Sequence, residues 1–435
     1  MTHSGKHKGR MVVLETDTVI TPFNEHPRLS IFTDQTIEAW QYDTASKNKL
    51  ELIKASSPEH AAELLAECKP QQFGILILDR HFITPKLLKD FIRVSKKSES
   101  DFLRLSLTRN ASVAYTEPLQ TVDKNGDRIA HDIYFFKNSR SVLPAHTNNN
   151  WLSELRESAT WIDVPKKELV RNIPLPTIGE QKSTTMRYPV TTSVVVSIEH
   201  WVHILWLNQL SFGIRWVDLV LRQRPIWALF KTFSALSFNI ENIMNRLVAR
   251  GSRCKIHPTA QISGSIIGHG ATIGPNVTIR NSYICANAVI QDHAVILNSV
   301  VGEDALILEN TFLVSSTCYP QSTVGNYKLQ VSLIGRGAYV NAWAGFVDAK
   351  FLGFVNVSHK GELISTERSF LGSVVGHGAK VAAKVLIHPG REIPNETIIV
   401  MRPDEIVSVV PDNIEPNQPL VRHEGTLVPL GMEKS

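Results

Sequence analysis

Apolar residues recur at every fifth or sixth position between residues 256 and 313: Ile256, Ile262, Ile267, Ile273, Ile279, Ile284, Ile290, Ile296, Val301, Ile307 and Leu313. A strand alternates with period 2 and a helix with period 3.6, so neither accounts for this spacing. One inward side chain per short flat face of a coil does. Faces of 6, 6 and 5 residues make a turn of 17, and Ser265, Ser282 and Ser299 stand 17 apart in the same register. This is the hexapeptide signature of a parallel β-helix. The variant segments Ser265–Ala271, Ser299–Ala305, Ser332–Ala338 and Ser373–Ala379 carry the repeat onward, and the spacing resumes at Phe370, Val375, Val381, Ile387, Ile393 and Ile399.

The chain before the repeat alternates apolar, strand-like runs with helical stretches. RLSIF, LELI, FGILILD and FLRLSLT read as strands, and SPEHAAELLAE and TPKLLKDFI as helices, with Ser57 and Thr84 as hydroxyl caps ahead of a proline at the first helical position. Such alternation predicts a parallel sheet covered by helices, with ligands at the carboxyl ends of its strands. That places Asp79, Arg80 and His81, which close FGILILD, at a candidate site, although an Asp and Arg there also serve as helix cap and ion pair. ASVAYTEP and RIAHDIYFF read as two strands joined through a turn at Asn125 and Gly126.

Residues 194–250 hold Trp201, Trp206, Trp216 and Trp227, half of the chain's eight tryptophans. Within residues 200–253 seven Lys or Arg face two acids, enough to account for the chain's formal charge of +5. Two readings follow: a helical collar packing the front domain on the solenoid or joining subunits, and a peripheral foot on an anionic membrane through residues 200–250, led by Trp201, Trp206 and Trp216. The expected organisation is a flexible N-terminus (1–25), an α/β domain (26–193), an aromatic basic helical linker (194–250), the β-helix (251–410) and a linker-like or strapping tail (411–435).

Composition narrows the function classes. The charge is too small and too scattered for a nucleic-acid binder. Cys68, Cys254, Cys285 and Cys318 lack metal-ligand spacing, so neither disulfides nor a structural metal is expected. No stretch has the roughly 20 apolar residues of a membrane span, and the first 20 residues lack a signal-peptide run, which leads to a cytoplasmic expectation.

The order of parts, with SLIGRGAYVNAWAGF and NVSHKGELISTERSFLGSVVGHGAKVAAKVLIHPGREI in the rear and FGILILDRHF in front, resembles the sugar-1-phosphate nucleotidylyltransferases with left-handed β-helix tails, some of which acetylate amino sugars. The resemblance implies a degenerate nucleotidyltransferase-like front domain, a left-handed β-helix, a homotrimer, and a sugar or nucleotide-sugar substrate bound between prisms. It also implies acyl-CoA as cosubstrate, with contacts at Tyr327, Lys328, Asn341 and Lys384, and Mg at Asp79 if nucleotidyl transfer persists. Two departures bear on activity. The family's glycine-rich phosphate loop has no counterpart between Met1 and Trp40, and its usual histidine is absent from Gly325–Lys328.

A replacement base must therefore come from elsewhere. His359 lies in the interruption Asn356–Ser369, where a solenoid carries no stacking duty, and Asp348 is its nearest acidic neighbour in sequence. His377 occupies a corner of the repeat, as His269 does, where Glu303 and Arg336 stand in sister coils, and a solvated corner is its plainer reading. His257 and His388 read as structural. The leading expectation is acyl transfer at β-helix subunit interfaces, with His359, Asp348 and His377 as catalytic candidates. A catalytically inactive scaffold or metabolite sensor, and a peripheral membrane protein of envelope-sugar synthesis, remain open beside it.

Overall fold

A computed structural model of the chain describes residues 7–69, 71–137, 151–174, 185–407, 409–412 and 414–430. The front domain is built on a mixed sheet of β1 (Gly9–Leu14), β2 (Leu50–Ala55), β3 (Phe73–Leu78), β4 (Phe102–Thr108), β5 (Arg128–Phe136) and β6 (Thr160–Asp163). Their order is β6-β4-β5-β3-β1-β2, with the short strand Asp123–Asn125 pairing β5 as a seventh member. β5 runs antiparallel to β3 and β4, whereas β1 is parallel to both β2 and β3. The parallel expectation thus holds for the β2-β1-β3 half, and β5 makes the sheet mixed.

Both faces are covered, so the strands read as near-continuous apolar runs. Met11, Val13, Ile75 and Ile77 pack on one face with α1 (Ile37–Lys47) and α3 (Pro85–Ser95). Val12, Leu14, Leu76 and Leu78 pack on the other with α2 (Pro58–Ala66) and α5 (Trp151–Ser158). Because β1 lies mid-sheet and is buried, the front domain begins well before residue 26 and residues 9–25 are not a flexible arm. Ser57 caps α2 as expected, but the Thr84 hydroxyl accepts from the Val194 N–H instead of capping α3. The ASVAYTEP stretch is not a strand: Asn110 caps the short helix α4 (Ala111–Thr116) by accepting from Val113 N. An Asn at the N-cap satisfies an orphan amide, and this local bond outweighs the β-branched and aromatic content that suggests a strand.

The rear domain is a parallel β-helix with three stacked sheets of eight, eight and five strands, consistent with the left-handed type. The register repeats every 17 residues: Ile262 stands beside Ile279, Ile279 beside Ile296 and Ile296 beside Leu313. The anchors, together with Ala271, Ala288 and Ala305, form one continuous core. The serines do more than mark the register. Each hydroxyl accepts from the backbone N–H of the serine one coil later, in an unbroken run from Ser265 through Ser282, Ser299, Ser316 and Ser332 to Ser373 at 3.1–3.2 Å. The last step spans 41 residues of sequence, because an excursion leaves after Asp348 and returns near Phe370 without breaking the stack.

Between the domains, α6 (Trp201–Gln209) is buried along its whole length. Its aromatic and aliphatic residues join a core that takes Phe23, Phe32, Trp40 and Phe82 from the front and Tyr319, Leu333, Val357 and Val374 from the rear. The collar reading of the joint is the one realised here. Trp201, Trp206 and Trp216 are 0%, 2% and 8% exposed, so they cannot form a membrane foot. The chain continues through two π-helical turns into α7 (Pro225–Ser234) and α8 (Ile240–Arg246). The tail forms an antiparallel hairpin of Leu420–His423 with Thr426–Pro429.

Candidate functional site

The front domain brings its polar residues together at the carboxyl ends of β1 and β3. β3 ends in Asp79, whose Oδ1 accepts from the Thr16 hydroxyl at 2.7 Å, just beyond the end of β1. The other carboxylate oxygen is buried and without a partner among the described residues. Burial raises the Asp79 pKa above the usual carboxylate value, partly offset by Thr16 and by the nearby Arg28 and His26. Arg28 pairs with Glu15, both partly exposed, so this ion pair marks the solvent side of the site.

Arg80 and His81 turn away from that loop. Arg80 lies 3.7 Å from Asp132 and 3.9 Å from Glu199. His81 is 1% exposed, and burial together with the Arg80 charge holds its pKa well below the ordinary imidazole value. The three residues therefore divide, with Asp79 facing the loop after β1 while Arg80 and His81 belong to a buried charge network. At its centre Asp132 accepts from Arg104 at 2.9 Å and Arg156 at 2.6 Å. These cations depress its pKa despite burial.

The excursion holds His359 at the end of the strand Asn356–His359, which pairs antiparallel with Glu362–Ser365. It does not stand apart as a binding arm. Val355 and Val357 pack into the shared core, and the partly buried Arg368 donates to the Tyr115 carbonyl at 2.7 Å while stacking over the Tyr115 and Trp206 rings. His359 faces His200, with ring centroids 5.4 Å apart. Burial, then the neighbouring His200 and Lys360, lowers its pKa. Asp348 is not its partner, since that carboxylate stands at the base of the excursion and pairs with Lys328 at 3.3 Å.

His377 also departs from expectation. It stacks on Phe23 at 4.5 Å, accepts from the Arg336 N–H at 2.9 Å, and lies 3.5 Å from Glu25, which itself pairs with Arg336 at 2.8 Å. This corner is an interdomain clamp and not a solvated edge, because the front domain's 20–34 segment packs over it. The acyl-CoA candidates lie on another flank. Tyr327 and Trp343 are exposed and meet edge to face at 5.6 Å, Asn341 accepts from the Trp343 N–H, and the Lys384 N–H donates to the Trp343 carbonyl. No contact joins His359 to this flank within one chain, among the described residues.

Reading the sequence missed Thr16, His26 and Arg28, which carry no motif; Thr16 meets Asp79 because β1 and β3 lie side by side, and His26 and Arg28 come from the turn at Pro27–Leu29. It also missed Glu199, His200 and His203. Their signal was present in the run Glu-His-Trp-Val-His at a helix start, where His200 caps α6 and His203 returns to the cap backbone.

Residues 244–406 match the family model described as the GMPPB C-terminal domain. The β-helix is of this type. The match covers the solenoid and its excursion and stops short of the front domain. No curated protein matches the chain.

Proposed function

We propose that this protein binds a sugar phosphate or nucleotide sugar at the carboxyl edge of its front sheet without transferring the nucleotidyl group, as a metabolite-sensing or scaffolding relative of the sugar nucleotidyltransferases. The observation that carries this reading is Asp79. It sits where open α/β sheets receive ligands, with one oxygen held by Thr16 and the other left over to bond a ligand hydroxyl. The absence of transfer rests on the loop after β1. It has no glycine to bring backbone amides onto a phosphate chain, and it carries Glu15 and Asp17, whose charge repels a triphosphate.

The donor set does not fit Mg. Asp79 is the single buried carboxylate there among the described residues, its pKa is raised, and Arg28 stands beside it, whereas a hard divalent cation is held by ionised oxygen donors. Titration calorimetry of the full chain with UDP-, GDP- and dTDP-sugars tests the proposal. The expected result is saturable binding to one class of nucleotide sugar, unaffected by Mg and lost in Asp79→Ala. Release of pyrophosphate from a nucleoside triphosphate and a sugar phosphate would overturn it, as would silence from every ligand.

Acyl transfer is a second reading, favoured by the exposed Tyr327–Trp343 pair with Lys328 and Lys384 nearby, a flank that a neighbouring prism in a homotrimer would convert into a groove. Acyl-CoA binding lost in Trp343→Ala, by a protein whose mass in light scattering is that of a trimer, would support it. A monomer that ignores acyl-CoA would end it.

A further inference from the structure

A helix on the surface of a water-soluble domain buries its apolar side and shows its polar side. α7 is apolar on both sides. Ala228 is buried and Trp227 half-buried, against Trp216, Val220 and Leu247. On the outer side Ile226, Leu229, Phe230 and Phe233 recur at helical spacing, and Leu236 and Phe238 extend the same surface beyond the helix. These six side chains range from 59% to fully exposed. Scattered apolar residues on a surface need no explanation, but a contiguous aromatic and aliphatic face on one short helix marks a contact.

The charges around it select the occupant. Arg222 and Arg224 precede α7, Lys231 lies on it and Arg246 on α8, against the acids Asp218 and Glu241, and the pair of Arg222 with Asp218 at 3.0 Å leaves Arg224, Lys231 and Arg246 against Glu241. A second copy docking by a two-fold axis would bring this basic rim against itself, because an isologous interface pairs each patch with its own image. An anionic bilayer complements it: phenylalanine and leucine enter the acyl boundary while arginine and lysine meet the headgroups.

We infer that α7 and the segment following it, Pro225–Phe238, form a monotopic anchor that seats the protein on anionic membrane. The foot is thus not the tryptophan-rich α6, which is spent on joining the two domains, but the helix that α6 and the π-turns hold away from them. Because Phe230 and Phe233 touch little of the protein, changing them leaves folding intact and isolates the lipid contact.

The test is co-sedimentation of the full chain with vesicles of phosphatidylcholine alone and with phosphatidylserine added. The wild type should pellet with the anionic vesicles only, and added salt should release it. Phe230→Ser with Phe233→Ser should reduce binding at least tenfold at an unchanged melting temperature, and Arg224→Glu with Lys231→Glu should do so only on anionic vesicles. No pelleting at low salt would overturn the inference, as would wild-type binding by the serine variant. A dimer in sedimentation velocity that Phe233→Ser dissociates would also overturn it, by assigning the face to a second copy.

Discussion

His200 and His359 meet across the seam between α6 and the excursion, ring centroids 5.4 Å apart, and the His200 Nε2–H donates to the Ser358 carbonyl at 2.8 Å. The same helix start places His203 with Nδ1 accepting from the Glu199 and His200 amides and Nε2–H donating to the Pro118 carbonyl. With Nδ1 accepting, the His203 bonds use the imidazole in its neutral form.

A pH dependence of stability follows. Burial holds His203 and His131 at about 4, below the ordinary imidazole value. Above about pH 6.5 both are neutral whether the chain is folded or not, and their contribution is fully present. As pH falls from about 6.5 toward 4, the unfolded chain takes up protons that the folded chain refuses. Stability is then lost by up to about 1.4 kcal/mol per pH unit for each histidine. The carboxylates with lowered pKa, Asp132 and Glu25 among them, add their losses only below about pH 4. Urea midpoints at pH 7.5 and 5 measure the effect. His131→Leu should reduce it by about half without cost at neutral pH, since both ring nitrogens of His131 are buried with no partner among the described residues.

The β-helix should lose stability according to position along the stack. Ile296 is fully buried between coils, and Ile296→Ala should cost about 2–5 kcal/mol. Ile256, half-buried in the first coils, has a stacked neighbour on one side only, and the same change there should cost clearly less. Ser299→Ala strips the acceptor from the Ser316 N–H and should cost about 1–3 kcal/mol despite being nearly isosteric. Equal costs for Ile256 and Ile296 in chemical denaturation would contradict a one-dimensional stack.

In the front domain the Asp132 carboxylate faces three guanidinium groups, Arg104, Arg156 and Arg80. Asp132→Ala leaves the fully buried Arg104 beside Arg156 and Arg80 with one acid fewer, and should cost about 3–5 kcal/mol or prevent folding. Asp123, more exposed and held by Arg104 from its outer side, should cost under about half of that. Thermal melts of the two alanine variants separate these cases.

What the sequence made legible tracks how local the determining interaction is. The anchors and serines of the solenoid each answer to a neighbour one coil away, so a fixed spacing carries the fold. Asp79 was located because a strand end is itself a local feature. Thr16 was not, because only the order β2-β1-β3 brings the ends of β1 and β3 together. His377 shows the limit from the other side: in sequence it is one more corner of the repeat, and only docking of Phe23 and Glu25 turns it into a clamp. The tryptophans of α6 have the composition of a membrane foot, and burial between two domains is a tertiary outcome that composition does not distinguish from it.

The shared core around α6 has a consequence for cooperativity. Interfaces between domains of one chain are ordinarily modest and polar, which lets domains move and melt separately. Here one apolar cluster draws on the front sheet's surroundings, on every turn of α6 and on coils of the solenoid, and Arg368 adds a partly buried contact to Tyr115 and Trp206. Calorimetry should therefore show the two domains unfolding in a single transition. Trp206→Ala removes a buried indole of this cluster beneath Arg368 and should cost about 3–5 kcal/mol. In that variant the endotherm should split, with the solenoid melting higher, since its serine and isoleucine ladders stay complete without α6. Two transitions already present in the wild type would mean that the cluster is two cores in contact, and the rigid seam would have to be abandoned.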